Sequence, residues 1–248
     1  MAMDPAAYDV VHNLEESHWF FVGRRNILRP LLDGVLAGLE RPRILDVGCG
    51  TGATMGFLER YGEVTGVDVS PQAVKYSHGQ GRTRLCLADG GHLPFVEGSF
   101  DLVTALDLLE HLEQEPAGLR EMWRVLKSGG RLLAVVPAFP FLWSDFDSFS
   151  GHYRRYTSSL LRDSIESAGF EVTRLSYFNT VLFPFVWAVR GFKNFVGRWK
   201  TFRSDLEMPT PGLNRLLAGA FSLEGGLMTR GDLPFGVSLL CVATKKAP

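Results

Sequence analysis

The stretch RILDVGCGTGA, Arg43 to Ala53, decides the fold. Ile44, Leu45 and Val47 form a short β-rich run, glycines at 48, 50 and 52 break it, and Ala53 opens a helix-forming segment that reaches Arg60. A strand ending in glycines at the start of a helix lets a ligand approach the backbone and the helix N-terminus. Working outward, β-rich runs alternate with helical ones: EVTGVDV (63–69) and Gln72–His78, TRLCLAD (83–89), FDLVTAL (100–106) and Glu115–Leu126, then RLLAVVP (131–137). Such alternation predicts a parallel sheet with crossover helices. A further helix at Thr157–Ala168, the strand EVTRLSYF (171–178) and a last strand GVSLLCVATKK (236–246) complete the pattern. Upstream, apolar residues between Asp4 and Leu39 recur at helical spacing, interrupted at Gly23 and Pro30, which predicts two or three helices.

Composition sets the outer bounds. The 248 residues are 46% hydrophobic and 21% charged, enough apolar surface for a core and too little charge for a disordered chain. Lys+Arg 26 against Asp+Glu 27 leaves a net charge of −1, so no global field draws the chain to nucleic acid. Cys49, Cys86 and Cys241 form no CxxC pair, which argues against a disulfide framework or a thiolate zinc site. The start carries an acid and no apolar run, so a cytoplasmic protein without a secretory signal is expected. One domain over 1–248 is expected, made of a helical lid at 1–40, a ligand-binding core at 41–178, an insertion at 179–233 and a final strand at 234–248.

The glycine loop alone also satisfies the looser dinucleotide pattern. Asp46 separates the ligands, because a carboxylate two residues before the first glycine repels a pyrophosphate and attracts an ammonium and a sulfonium. That favours S-adenosylmethionine over NAD. Asp68 ends the next strand, where an acid accepts from ribose hydroxyls; its alternative role is a helix N-cap, which Ser70 fills better. Asp89 follows the third strand, where it could accept from the exocyclic amine of adenine or serve as a turn residue.

ILDVGCGTG, VTGVDVS, LADGGHLPF, FDLVTALDLLEHL and RVLKSGGRLLAVVP, spanning Arg43 to Pro137, resemble the successive motifs of class I S-adenosylmethionine-dependent methyltransferases. The resemblance implies a Rossmann-like α/β fold, a seven-stranded, mostly parallel sheet whose last strand is antiparallel, and a product S-adenosylhomocysteine. Carried onto this sequence, Asp46, Gly48, Gly50 and Gly52 would face the methionine part, Asp68 with Val69 the ribose, Asp89 with Gly90 the adenine, and Leu106 the methionyl side. EESHWFFVGRR and GHYRRYT also look like a bacterial branch associated with glycan or lipid assembly. In that family the N-terminal region resembles a lid in which Arg24 or Arg25 would pair with the cofactor carboxylate, with His18 and Trp19 towards the substrate or, for Trp19, packed into the core.

Methyl transfer from a sulfonium is an in-line displacement that needs orientation, exclusion of water and, for a hydroxyl, a base. His111 and His152 are the candidates, each with the alternative of merely shaping the pocket. Tyr153 and Arg154 suit a substrate carboxylate or phosphate, although Arg154 and Arg155 could equally bridge Asp145 and Asp147. Asp107, Glu110 and His111 at i, i+3 and i+4 would share a helical face that could present ligands to a divalent ion. This stretch is similar to one in ubiquinone-pathway O-methyltransferases, some of which are linked to magnesium. Histidine suits magnesium poorly and Glu110 can cap the helix, so no metal is expected and EDTA should leave activity intact.

The insertion reads VLFPFVWAVRGFKNFVGRWKTFR from Val181, with Arg190, Lys193, Arg198, Lys200 and Arg203 and no acid between Asn179 and Ser204. Its apolar run is too short to span a bilayer, but aromatic residues interleaved with cations suit an interface or a pocket cap. The resulting expectation is O-methylation of a hydrophobic or lipid-linked small molecule or glycan, with peripheral contact at the inner membrane face through 181–203. N- or C-methylation and a non-catalytic cofactor-binding subunit are the alternatives.

Overall fold

The computed structural model describes residues 5–188 and 208–246, with side chains from Tyr8 onward. Helices α1 (Pro5–Leu14) and α2 (Trp19–Val35) precede strand β1 (Arg43–Val47), α3 (Ala53–Leu58), β2 (Glu63–Asp68), α4 (Pro71–Gly79), β3 (Leu85–Leu87) and β4 (Phe100–Leu106). A 3-10 turn at Leu109–His111, α5 (Glu115–Val125), β5 (Leu126–Pro137), α6 (Asp145–Ser150), α7 (Ser158–Ser167), β6 (Phe170–Phe178), α8 (Pro211–Met228) and β7 (Ser238–Lys245) follow. The strands form one sheet in the order β3-β2-β1-β4-β5-β7-β6, and β7 runs antiparallel to both of its neighbours. The α/β fold with an antiparallel last strand is the one the motifs implied.

Period-two alternation sorts the strand side chains onto two faces. Leu45, Val47, Val103, Ala105, Leu132, Ala134 and Leu239 bury against α5 and α7, with Leu119, Met122, Leu161 and Ile165 from those helices. Ile44, Leu102, Leu133, Val135 and Leu240 bury on the other face against α2, α3 and α8, through Ile27, Leu32, Met55, Leu58 and Phe221. The order reverses between β1 and β4, and the crevice outside the carboxyl ends of such a pair is where open α/β sheets bind ligands.

Several boundaries differ from the sequence reading. β5 starts five residues earlier than expected, and β3 shrinks to three residues at the sheet edge, where only β2 pairs with it; Asp89 follows it, as expected. α2 runs unbroken through Gly23 and Pro30, because α8 packs along it and Gly23 is where the buried Phe221 ring fits: a Cβ there would collide with that ring. Within the insertion, residues 183–188 are helical, and the fully buried Glu224 of α8 accepts the Val181 N–H at 2.9 Å. Arg190, Lys193, Arg198, Lys200 and Arg203 lie outside the described residues. Among the described residues no helix is long and apolar enough to cross a membrane.

Candidate active site

The glycine loop is built on left-handed backbone. Gly48, Gly50 and Gly52 have φ of 74°, 54° and 99°, a region that costs L side chains strain, and around Gly50 a Cβ would meet nothing within 4 Å. Asp46 sits beneath this loop, 2% exposed. One of its carboxylate oxygens accepts from the Thr104 hydroxyl at 2.6 Å, and the other has no hydrogen-bond partner. Burial pushes this carboxyl up to about 7, against the Thr104 hydrogen bond and the Arg24 charge.

Asp68 has a second role that the sequence reading did not anticipate. Its oxygens accept from the Gly50 and Ser70 N–H groups, both at 2.9 Å, so it braces the loop as well as facing the crevice. Ser70 is the N-cap of α4, as expected. Tyr8 of α1 also hydrogen-bonds Asp68, which seats the N-terminal helices on the loop. Val69 is exposed at the end of β2, Leu106 is half-buried at the end of β4, and Gly90 is half-buried near Val47. Asp89 is exposed and accepts the Gly91 N–H at 2.6 Å, the local turn that was its alternative reading.

The lid residues divide. Arg24 is buried, lies over the Phe20 and Phe21 rings and pairs with Asp107, so it reaches the methionyl end of the crevice with a carboxylate already on it. Arg25 faces away, donating to the Glu15 and Glu16 carbonyls. His18 does not reach towards a substrate: it is 1% exposed and its Nδ1 caps α2 by accepting from the Phe20 N–H. Trp19 packs edge-on against Phe221 of α8, and its backbone N–H donates to Asn214 Oδ1. Trp19 thus belongs to the contact between α2 and α8, because the aromatic ring area gains more from that burial than from solvent.

On the other half of the carboxyl edge, the expected helical face of Asp107, Glu110 and His111 is absent. The chain turns left-handed at Asp107 (φ 54°) and makes only the 3-10 turn Leu109–His111, while α5 starts later with Gln114 as its N-cap. Asp107 therefore goes to Arg24, and Glu110 caps no helix. Instead, His152 joins Glu110 and His111, one ligand-type atom from each lying within 4.8 Å of the others. The imidazoles of His111 and His152 stand edge to face, 4.6 Å between centroids.

Burial, and then the His152 charge, push His111 down to about 3. Such an imidazole is neutral and a weak base at neutral pH. His152 has its Nδ1 2.8 Å from Asp147, an imidazole held by an orienting carboxylate. Arg155 grips the same Asp147 through Nε and Nη2, at 2.7 and 2.9 Å. The hydrogen bonds and ion pairs from Arg155 and His152 hold the Asp147 carboxyl far below its ordinary range despite burial. Tyr153 is exposed and its N–H donates to the Glu110 carbonyl at 2.8 Å. Of the pairings foreseen with Asp145 and Asp147, only Arg155 with Asp147 forms; Arg154 bridges Glu115 at 2.7 Å instead, an internal partner all the same.

Asp147 and an aromatic cluster around Phe139 were not singled out as site residues. Phe139, held at φ 57°, stacks on Tyr177 at 4.9 Å and on Phe141 at 5.0 Å, with Phe183 5.7 Å away. The signal available in the sequence was the run AFPFLWSDFDSF before GHYRRYT, but nothing in it says which rings meet.

A family model described as a methyltransferase domain matches residues 45–134, the segment from the glycine loop to the middle of β5. Over that segment the chain is similar to methyltransferase domains. It is similar to ajmaline N-methyltransferase of Rauvolfia serpentina, 31% identical over 130 residues, which are 46% of this chain and 45% of that protein. It is also similar to the ubiquinone biosynthesis O-methyltransferase of Xanthomonas oryzae pv. oryzae, 38% identical over 111 residues, 41% of this chain and 46% of that one. The chain thus spans about half the length of these curated relatives. A Haemonchus contortus phosphoethanolamine N-methyltransferase 2, solved in complex with S-adenosyl-L-methionine, superposes with a TM-score of 0.56 at 17% identity, covering 88% of this chain and 52% of that one. That structural likeness establishes the fold of the domain.

Proposed function

We propose that this chain transfers the methyl group of S-adenosylmethionine to an oxygen of a hydrophobic or lipid-linked acceptor. The observation that carries the cofactor is the buried Asp46 oxygen without a partner beneath three left-handed glycines. A cationic ligand completes that oxygen, whereas a pyrophosphate would be repelled by it. Asp46 and the loop would hold the methionine portion, Asp68 and Val69 the ribose, Asp89 and Gly90 the adenine, and Arg24 the carboxylate in exchange for Asp107. When bound, the cofactor supplies an electrophilic methyl group at a sulfonium. The protein's part is to seat the Tyr8 helix over the loop, keep water out and orient the acceptor.

The acceptor class rests on the cluster of Phe139, Phe141, Tyr177 and Phe183, which offers ring faces to an apolar molecule. His152, oriented by Asp147, is the nitrogen base left on that edge. Membrane contact is supported by exposed Val181, Phe185 and Trp187 leading into the cationic run, and by Leu216, Leu223 and Leu227, exposed along one stripe of α8. An N-acceptor is the second reading, favoured by the weak basicity of His111 and the N-methyltransferase relative. Incubation with methyl-labelled S-adenosylmethionine and a bacterial lipid extract tests the proposal. Label in an alkali-stable, solvent-extractable product is expected, and label confined to a water-soluble amine would overturn the acceptor class.

A further inference from the structure

We infer that Glu110, His111 and His152 form a binding site for one first-row divalent transition-metal ion. Two segments far apart in sequence converge there, the 3-10 turn after β4 and the loop after α6, and the Tyr153 N–H to Glu110 carbonyl bond at 2.8 Å clamps them together. The Glu110 side chain is fully buried, and neither of its carboxylate oxygens has a hydrogen-bond partner. A carboxylate in that position must either keep a proton or meet a cation, because an unpaired buried charge is strongly disfavoured.

The surroundings of His152 point to the cation. Its Nδ1 is taken by Asp147, which leaves Nε2 for coordination, and Asp147 is itself fixed by Arg155, whose Nη1 donates to the Ala138 carbonyl at 3.0 Å. A carboxylate behind an imidazole is the outer support that orients metal-bound histidines and raises their donor strength. Two imidazoles and one carboxylate, with room for further ligands, suit zinc, cobalt, iron(II) or manganese; magnesium prefers oxygen ligands and retained water. Asp107, which the sequence grouped with Glu110 and His111, is held by Arg24 and takes no part. This set therefore differs from an all-local Asp-Glu-His arrangement in both its residues and its metal.

The ion would act as a Lewis acid that makes an acceptor hydroxyl easier to deprotonate, its proton leaving to solvent water. His152 Nε2 would then be a ligand and not the base assigned above. The binding claim stands apart from the methyl-transfer reading, and the test keeps the two separate.

Chelator-treated full-length protein would be titrated with Co²⁺, whose visible absorption reports coordination by nitrogen ligands, with cofactor binding followed separately by calorimetry. One Co²⁺ per chain, displaced by Zn²⁺ and unaffected by excess Mg²⁺, is expected. His152→Asn and Glu110→Gln should each weaken Co²⁺ binding at least about tenfold while still binding S-adenosylmethionine, which shows that they are folded. Absence of the band, or a band unchanged in His152→Asn and His111→Asn, would overturn the inference. Cobalt binding without cofactor binding would leave it standing and sink the methyl-transfer reading instead.

Discussion

The two halves of the carboxyl edge solve opposite problems with their buried acids. Under the glycine loop, Asp46 keeps one oxygen unpaired and its carboxyl is raised to about 7. Past β5, Asp147 is equally buried but has a guanidinium and an imidazole on it, and its carboxyl is held far down. Asp46 is incomplete without a ligand, whereas Asp147 is complete within the protein. Stability should therefore depend on Asp147 and binding on Asp46.

The largest effect is expected from breaking the completed Asp147 cluster. Asp147→Ala leaves Arg155 buried without its partner and should cost about 3–5 kcal/mol in urea unfolding, as for other buried pairs that lose one member. A loss below about 1 kcal/mol would mean that the edge relaxes and the contrast is false. Next comes Asp46→Ala, which should weaken S-adenosylmethionine binding by about 10- to 100-fold, the range for a charged hydrogen-bond partner, with little loss of stability. Equal affinity in wild type and variant would remove the basis of the cofactor assignment.

The contrast is sharpened by pH. The Asp46 carboxyl is raised in the folded chain, so the folded state holds a proton that the unfolded chain releases, and the Asp46 contribution to stability falls as pH rises from about 4 to about 7. A sulfonium favours the ionised form, so affinity should rise through about pH 7, and Asp46→Asn should flatten both trends. Thermal melts and calorimetry across that range check the pair of slopes.

A smaller effect is expected at the seam between lid and insertion. Gly23→Ala should push the Phe221 ring out of place, costing about 1–3 kcal/mol as overpacking does, and leave cofactor affinity within about threefold. The smallest structural effect belongs to the cationic run. Replacing Arg190, Lys193, Arg198 and Lys200 by Gln should leave the melting temperature unchanged and reduce sedimentation with anionic vesicles; a parent protein that does not sediment contradicts the membrane reading.

How much of this was legible in the sequence follows the same division. Glycines at 48, 50 and 52 and acids at 46 and 68 are readable because each answers a local backbone or strand-end requirement within a few residues. The seven-stranded sheet with its antiparallel last strand came from the family resemblance of the motifs, and the order of the strands was not given by it. Glu110 and His152, in contrast, meet only after β5 and α6 have been placed, and no spacing in the sequence encodes that contact. Asp107 was misplaced because i, i+3, i+4 spacing implies a helix, and the chain makes a single 3-10 turn with Asp107 outside it. The substrate-facing reading of Trp19 competed with core packing because α8, which covers it, lies about 200 residues further along.

The central claim is that the loop above Asp46 takes a cationic cofactor. Titration calorimetry of the purified chain with S-adenosylmethionine and, in parallel, NADH tests it before any acceptor is known. Heat from S-adenosylmethionine alone, diminished in Asp46→Ala, is the result this account predicts. Binding of NADH, or S-adenosylmethionine binding indifferent to Asp46, would contradict it.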